Sequence, residues 1–153
     1  EKSGGFDFII DGANVGYFGQ RPTWKSQQGQ VKSSGRQLLN YAQIDAVVKH
    51  LRPKGRVLVV LHTQHLRTDQ LPRHYQQMVQ KWLVEGLVYA TPVGMNDDWF
   101  WLCAAIMTSI EGKNPYIISN DSMQDHHSAL CVLAHTTQQQ HKLFLKWRER
   151  HCV

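Results

Sequence analysis

Short apolar runs that alternate with longer amphipathic segments are the feature that most constrains the fold of this chain. Four such runs are typical of buried β-strands because they are aliphatic, β-branched or aromatic almost throughout: 6–10, 57–61, 87–90 and 116–119. Apolar residues recur at helical spacing over about 40–52, 72–86, 96–112 and 137–150. Strands that alternate with helices of this length predict parallel pairing with crossover helices. We therefore predict a three-layer α/β/α domain with a central, mainly parallel sheet of about four strands.

The ends of the helices also carry recognisable signals. Asn40, with a glutamine three residues later, forms a capping-box pattern that predicts the start of the first long helix. Pro72 suits the first turn of the next helix, and Gly86 suits its end. In the last helix we expect three apolar side chains to face the core: Leu143, Phe144 and Trp147.

The size of the chain allows one domain with a sizeable core, since 153 residues are too few for two. We expect residues 1–5 to be the end of a linker and residues 6–153 to form the domain. No apolar run approaches membrane-spanning length and no signal peptide opens the chain, so we expect no membrane partner. The three cysteines are widely spaced and odd in number, which favours reduced thiols in an intracellular setting.

The charge of the chain favours an anionic partner. Its net charge is +5, and a basic surface suits a polyanion such as nucleic acid. Residues 16–35 are rich in glycine and glutamine and contain no acid, which predicts a long polar loop. Aromatic residues among cations there suit stacking on bases and contact with phosphates, although a solvated linker is an equally good interpretation. The candidates for RNA contact are Arg21, Trp24 and Lys25 in this loop, and His62, His65, Arg67 and Arg73 after the second strand.

Four aspartates follow the predicted strands at one edge of the sheet. Asp11 ends the first strand, Asp121 follows the fourth, and Asp97 and Asp98 lie between the third strand and the next helix. In an open parallel sheet, ligands bind outside the carboxyl ends of the strands. Carboxylates gathered there repel one another and raise their own pKa values, and a hard divalent cation removes that conflict. With no cysteine and no histidine pair, the cluster fits Mg²⁺ or Mn²⁺ better than zinc.

Each aspartate taken singly also has a structural interpretation. Asp97 could cap its helix, and Asp11 or Asp121 could close a turn. Capping needs one residue of an adjacent pair, however, so Asp98 needs another role. An aspartyl-nucleophile phosphatase would require a second aspartate where Ala13 stands, and neither glycine-rich nucleotide-binding pattern follows a strand. Because no serine or cysteine triad is evident either, metal-assisted phosphodiester hydrolysis is the reaction that remains.

Three motifs resemble the metallonuclease domain of protein-only RNase P, which belongs to the NYN group of PIN-like ribonucleases. They are Ile-Asp-Gly-Ala-Asn-Val-Gly at 10–16, Asn-Asp-Asp-Trp-Phe-Trp-Leu at 96–102 and Asn-Asp-Ser-Met-Gln-Asp-His at 120–126. The closing Trp-Arg-Glu-Arg-His at 147–151 is similar to the end of that domain. The resemblance covers nearly the whole chain in the same order, and the combination is specific. The Asp-Gly-x-Asn opening by itself is shared by the wider NYN group.

This resemblance implies an endonuclease that removes the 5′ leader of precursor tRNA, with a 5′ phosphate left on the tRNA and a 3′ hydroxyl on the leader. It implies two Mg²⁺ (or Mn²⁺) ions, one that aims a hydroxide and one that stabilises the leaving 3′ oxygen. The residues that match the metal-binding aspartates of the family are Asp11, Asp97, Asp98 and Asp121. The residues expected to orient these ligands or to bind phosphate are Asn14, Asp125 and His126, a surface role being the alternative for the histidine.

Members of the family also carry regions that this sequence lacks. One is a helical-repeat RNA-binding region before the nuclease, and the other is a small zinc module of which His151 alone has a match here. We therefore expect an isolated catalytic domain that binds precursor tRNA poorly, with structural Zn²⁺ in the full-length protein only. Family members work in mitochondria, chloroplasts and nuclei, and the need for accessory proteins stays open. A PIN-like ribonuclease of other RNA, such as messenger RNA, and an inactive RNA-binding module are the alternatives.

Overall fold

A computed structural model describes residues 4–20, 38–124, 128 and 137–153 of the chain. Its strands are β1 (Phe8–Asp11), β2 (Val57–His62), β3 (Val88–Thr91) and β4 (Tyr116–Ile118). They form one sheet in the order β3-β2-β1-β4, and every neighbouring pair is parallel. The helices are α1 (Gly12–Tyr17), α2 (Tyr41–Leu51), α3 (Arg73–Val84), α4 (Asp97–Ile110) and α5 (Gln138–His151).

Each face of the sheet packs against its own hydrophobic core. Successive residues of a strand point to opposite faces, so the unbroken apolar runs of β1 and β2 supply both cores. Ile10 and Val59 pack with residues of α2 and α3, including Ile44 and Trp82. On the other face, the buried residues are Ile9, Leu58, Val60, Trp101, Leu102, Ala105, Ile117 and Met123. The prediction of a three-layer α/β/α domain around a parallel sheet of four strands is confirmed.

The capping signals in the sequence mark the observed helix ends. The Asn40 side chain accepts a hydrogen bond from the backbone N–H of Gln43 at 3.1 Å, which is one half of the predicted capping box. The other half is absent, because the backbone N–H of Asn40 donates to the carbonyl of Gly16 instead. Pro72 immediately precedes α3, and Gly86 follows its end with a φ of 61°, a conformation that favours glycine. The second of the 3₁₀ turns that connect β2 to α3 (Thr63–Leu66 and Thr68–Gln70) ends just before this proline.

The inward placement of Leu143 is wrong. Its side chain is 59% exposed, whereas Phe144 and Trp147, which are three residues apart, pack against the second core. Around the helix, Trp147 lies between Leu143 and Phe144, and the side that packs against the second core is the side of Phe144. Helix α5 therefore contacts the sheet along a strip narrower than its apolar composition suggests.

The start of the chain differs most from the prediction. Gly5, assigned to a linker end, is buried, and its carbonyl accepts a hydrogen bond from Lys113 Nζ at 2.9 Å. As predicted, Asp11 is the last residue of β1, and its side chain also caps α1. Residues 16 and 17, predicted to open a polar loop, belong to that helix. The rest of that loop, from residue 21 onward, lies outside the described residues, together with Arg21, Trp24 and Lys25.

No helix in the described ranges is both long enough and apolar enough to cross a membrane.

The absence of a side chain at Gly12 is what allows α1 to follow β1 directly. A Cβ there would lie 2.9 Å from the carbonyl oxygen of Val60 and 3.0 Å from Val59 Cγ1. The first contact is with backbone of the central strand, which cannot move aside without breaking its pairing with β1.

We therefore expect Gly12→Ala to lower the free energy of unfolding by about 1–3 kcal/mol, the usual cost of overpacking. Urea denaturation of the metal-free protein measures this change. Gly4→Ala is the matched control, because an added Cβ there has its nearest neighbours at 3.8 Å, an ordinary contact distance. Equal stability of the two variants would contradict the assignment of a steric role to Gly12.

Candidate active site

A depression of about 540 Å³ lies at the carboxyl edge of the sheet, where α1 follows β1 and α4 begins. Three of the predicted aspartates line it, from separate parts of the chain: Asp11, Asp98 and Asp121. Asn14 and Asn120 add amide groups, and the remaining wall is Ala13, Tyr17, Phe18 and Gly19. The structure thus brings together an oxygen-rich set of side chains at the edge where a parallel sheet binds its ligands.

Asp11 is held from both sides. Its Oδ1 accepts the backbone N–H of Asn14 at 3.0 Å, which caps α1, and its Oδ2 accepts the hydroxyl of Ser119 at 2.9 Å. The Ser119 oxygen in turn accepts the backbone N–H of Asp121 at 3.1 Å. One hydroxyl therefore connects the aspartate at the end of β1 to the aspartate after β4.

Ser119 was not among the predicted site residues. The available signal was its place at the end of the fourth apolar run, two residues before Asp121. Asn14, which was predicted, has a comparable contact: its side-chain oxygen accepts the backbone N–H of Asn120 at 3.0 Å. Both side chains fix the segment after β4 against the start of α1.

The adjacent aspartates at the start of α4 have different surroundings. Asn96 caps this helix by accepting the backbone N–H of Asp98 at 2.9 Å, so Asp97 is not the cap. The indole N–H of Trp101 donates to Asp98 Oδ1 at 3.2 Å, and Asp98 faces the depression. Asp97 is half-buried, is not among the residues that line the depression, and lies within electrostatic reach of His62.

Burial makes two of these carboxylates, Asp11 and Asp97, harder to ionise, because it raises their pKa values. Asp11 is 3% exposed, and burial raises its pKa from 3.8 to about 6, helped by the charges of Asp98 and Asp97 and opposed by the hydrogen bonds of Asn14 and Ser119. Burial also raises the pKa of Asp97; the charge of Asp98 adds to this effect, and His62 opposes it. A bound cation would reverse this balance by stabilising the ionised form.

The donor set fits a hard cation. Within the described residues, no three histidine, cysteine, aspartate or glutamate side chains form a ready-made ligand cluster. Mg²⁺ does not require one, since it usually binds through one or two carboxylates and keeps several waters. Carboxylate and amide oxygens around an open depression match that preference, and none of the described residues that line it is a cysteine.

The other predicted residues are spread more widely. His62 ends β2, and its Nδ1 accepts the backbone N–H of Gln64 at 3.1 Å; His65 and Arg67 line a second groove, and Arg73 is exposed at the start of α3. His151 is buried: its Nδ1 donates to the carbonyl of Pro115 at 2.7 Å, and its ring stacks on Trp147. Asp125 and His126 lie outside the described residues.

The raised pKa of Asp11 makes the stability of the metal-free protein depend on pH. Because the folded state binds this proton more tightly than the unfolded state does, the stabilisation is complete below pH 3.8 and is lost as the pH rises through about 6. Asp11→Asn keeps the shape of the protonated side chain and removes the charge. We expect it to raise the free energy of unfolding by about 1–3 kcal/mol at pH 8 and to change it little at pH 4.

Urea denaturation in EDTA at both pH values measures this difference. Asp69→Asn is the control, because it removes the same charge from an exposed residue and should stay within about 0.5 kcal/mol of the parent chain at either pH. A variant at position 11 that is no more stable than the parent chain at pH 8 would show that the buried carboxylate carries no such penalty.

Known proteins resemble the whole chain. The family model for protein-only RNase P matches residues 1–153. Proteinaceous RNase P 2 of Arabidopsis thaliana is 34% identical over 157 residues, which cover 100% of this chain and 25% of that protein. Proteinaceous RNase P 1, chloroplastic/mitochondrial, from the same plant is also 34% identical, over 160 residues and 23% of its length. The chain thus spans about a quarter of the length of these curated relatives.

Solved structures agree with the sequence comparisons. The structure of Arabidopsis thaliana nuclear protein-only RNase P 2 matches with a TM-score of 0.69 and 31% identity, over 99% of this chain and 28% of that one. A crystal structure of the same plant's nuclear proteinaceous RNase P 2 gives a TM-score of 0.69 at 30% identity. Since the family model spans every residue and the fold of solved members is the same, this chain belongs to the protein-only RNase P family.

Proposed function

We propose that this chain is a metal-dependent endoribonuclease domain that removes the 5′ leader of precursor tRNA. The observation that carries the proposal is the arrangement of Asp11, Asp98 and Asp121 around one depression in a chain of this family. The relatives are named for RNase P activity, and their names place them in the nucleus, chloroplast or mitochondrion. We propose that this chain likewise acts in a compartment where precursor tRNA is processed.

The reaction is hydrolysis at a phosphodiester bond. Water attacks phosphorus, and the bond to the 3′ oxygen of the last leader nucleotide breaks. The tRNA keeps the phosphate at its 5′ end, and the leader takes a proton on its 3′ oxygen. Bound Mg²⁺ or Mn²⁺, as two ions in the proposed scheme, supplies the Lewis acidity that makes water nucleophilic and offsets charge on the leaving oxygen.

The chain's own residues hold and orient that chemistry. Asp11, Asp98 and Asp121 would be the ligands that face the depression, and Asp97 would add negative charge from beside it. The two hydrogen bonds to Asp11 fix the directions of its oxygen atoms before any ion binds, which lowers the cost of organising the site. Trp101 does the same for Asp98. We propose supporting roles for Asn14, Asp125 and His126, in line with the family resemblance.

Cations beside the depression would contact the RNA backbone. His62 ends the strand next to β1, and His65 and Arg67 follow in the turns after it. We propose that these residues contact phosphates, that Arg21, Lys25 and Arg73 do so as well, and that Trp24 stacks on a base. The excess of 17 lysines and arginines over 12 acids strengthens long-range attraction to RNA.

Metal binding should be visible without any substrate. At a Mg²⁺ concentration ten times the dissociation constant, binding stabilises the native state by about 1.4 kcal/mol, which raises Tm by roughly 3–5 °C. We expect this increase in the parent chain and its loss in Asp98→Asn, measured by calorimetry at pH 7.5. Asp69→Asn should retain it, because that residue lies away from the depression. If both variants respond to Mg²⁺ alike, the ion does not bind at Asp98.

Cleavage is tested with the enzyme in excess over a structured precursor tRNA, because we expect the isolated chain to bind weakly. The products should be a leader with a 3′ hydroxyl and a tRNA with a 5′ phosphate, resolved by electrophoresis and by digestion with a 5′-phosphate-dependent exonuclease. Asp98→Asn should lower the single-turnover rate by at least about 100-fold. Equal cleavage of an unstructured messenger RNA would indicate a general PIN-like ribonuclease. No cleavage of either RNA, with Mg²⁺ bound, would indicate an RNA-binding module.

A further inference from the structure

A second groove opens beside the depression. It has a volume of about 240 Å³ and lies between the end of α1, the start of α2 and the 3₁₀ turns after β2. We call it the side groove and define it by Tyr17, Leu38, His65, Arg67, Gln70 and Leu71. Tyr17 also lines the depression, so the two cavities share one wall.

The lining of the side groove suits a nucleobase and an adjoining phosphate. Tyr17, Leu38 and Leu71 supply aromatic and aliphatic surface of the kind on which the flat face of a base packs. Gln70 carries an amide that can pair with the edge of a base, and Arg67 carries a permanent positive charge. None of the described residues that line the groove is acidic, in contrast to the depression next to it.

The walls are held in place by contacts within the chain. The hydroxyl of Tyr41 donates to the carbonyl of His65 at 2.6 Å, which fixes the first 3₁₀ turn against α2. The ring of Tyr17 meets the ring of His65 edge to face, with centroids 6.0 Å apart and planes at 72°. Because these contacts already fix the side chains of the groove, little conformational entropy is lost when a ligand binds, which favours binding.

The size and position of the groove narrow the choice of occupant. Its volume is below the range of roughly 300–1,000 Å³ that is usual for drug-sized ligands, so it can hold one base and not a base pair. A base within a duplex is stacked and cannot present its face, so the occupant must be unpaired. On the precursor tRNA of the proposed function, the mature 5′ end is paired in the acceptor stem, and the leader is the unpaired side of the cut.

We propose that the side groove binds the base of a leader nucleotide close to the scissile bond, and that Arg67 contacts a leader phosphate. The inference rests on the proposed function, because it assumes that the phosphate to be cut lies in the adjoining depression. Tyr17 would then separate the two positions, with the reacting phosphate on one side and the leader base on the other. The groove would thereby help to set which bond reaches the aspartates.

Photo-crosslinking locates the leader without requiring cleavage. Precursor tRNAs carry a single 4-thiouridine at the first, second or third leader position, or at a paired position in the acceptor stem. They are irradiated in EDTA with the 153-residue chain, and the crosslinked peptides are identified by mass spectrometry. We expect at least one leader position to crosslink to Tyr17 or to a peptide within 64–71, and the stem position to crosslink elsewhere. Leader crosslinks confined to other peptides, or no leader crosslink at the highest soluble protein concentration, would overturn the proposal.

Matched variants separate recognition by the groove from general attraction of charge. Arg67→Ala should lower the leader crosslink by about fivefold or more, whereas Arg150→Ala removes the same charge from α5, in the opposite layer, and should leave it unchanged. Both arginines are exposed, so neither substitution threatens the fold, and matching circular dichroism spectra verify this. If the two variants lose the leader crosslink equally, the effect of Arg67 is one of net charge alone, and the assignment of the leader to the side groove is overturned.

Binding of a substrate without the base gives an independent measurement. Replacing the crosslinked nucleotide by an abasic site should weaken binding to the parent chain by about 5-fold or more, the lower end of the usual effect of losing one stacked base. The loss should disappear in Leu38→Glu, which places a charge on a wall residue that is 46% exposed. If the abasic site weakens binding equally in both proteins, the base does not lie in the groove.

The outcomes also separate this inference from the proposed function. An RNA that crosslinks in the groove but is never cut with Mg²⁺ present would overturn the nuclease assignment and leave the groove in place. An RNA that is cut at its leader but crosslinks elsewhere would overturn the groove alone.

Discussion

The buried carboxylate of Asp11 is the constraint on which the rest of this site depends. A carboxylate that is 3% exposed cannot be hydrated, so it must take its hydrogen bonds from the protein. The Asn14 amide binds it by starting a helix immediately after β1, and the Ser119 hydroxyl binds it by drawing the end of β4 close. These bonds do not balance the burial, since the pKa of the side chain stays near 6. In the proposed function, this incomplete balance would favour the binding of a cation at Asp11.

The alternation of strands and helices was sufficient to predict the sheet, its parallel pairing and its two cores. It was not sufficient for α1, because Gly-Ala-Asn-Val-Gly-Tyr has two glycines and is too short to show a helical period. That helix exists through tertiary contacts: Asp11 caps it, and Gly12 allows it to lie against β2. The exposure of Leu143 also depends on tertiary contacts. The spacing of apolar residues shows that a helix has an apolar face, but it does not show how much of that face the neighbouring layers cover.

The gathering of aspartates was predictable for a geometric reason, and the division between Asp97 and Asp98 was not. Parallel strands end at the same edge, so residues that follow them lie close together whatever their separation in sequence. Consecutive residues at the start of a helix point about 100° apart, and which of them faces the depression depends on how α4 sits on the sheet. Asn96 and Trp101 settle this locally, by capping the helix and by donating to Asp98. Neither contact could be predicted from the sequence, because an asparagine before a helix and a tryptophan within it are equally typical of ordinary capping and core packing.

The two cavities on either side of Tyr17 have opposite electrostatic character, and this contrast suggests an order of events. The depression holds three carboxylates, whereas the described residues that line the side groove include Arg67 and no acid. If RNA binds as proposed, a phosphate would be attracted to the groove without any metal, but it would be repelled from the depression until a cation offset the carboxylates. In the proposed reaction, therefore, the leader can dock before the metal site is filled, while the reacting phosphate cannot. The negative charge of the RNA would then keep the reacting phosphate out of the depression until the metal is bound, even when the leader is already held in the side groove.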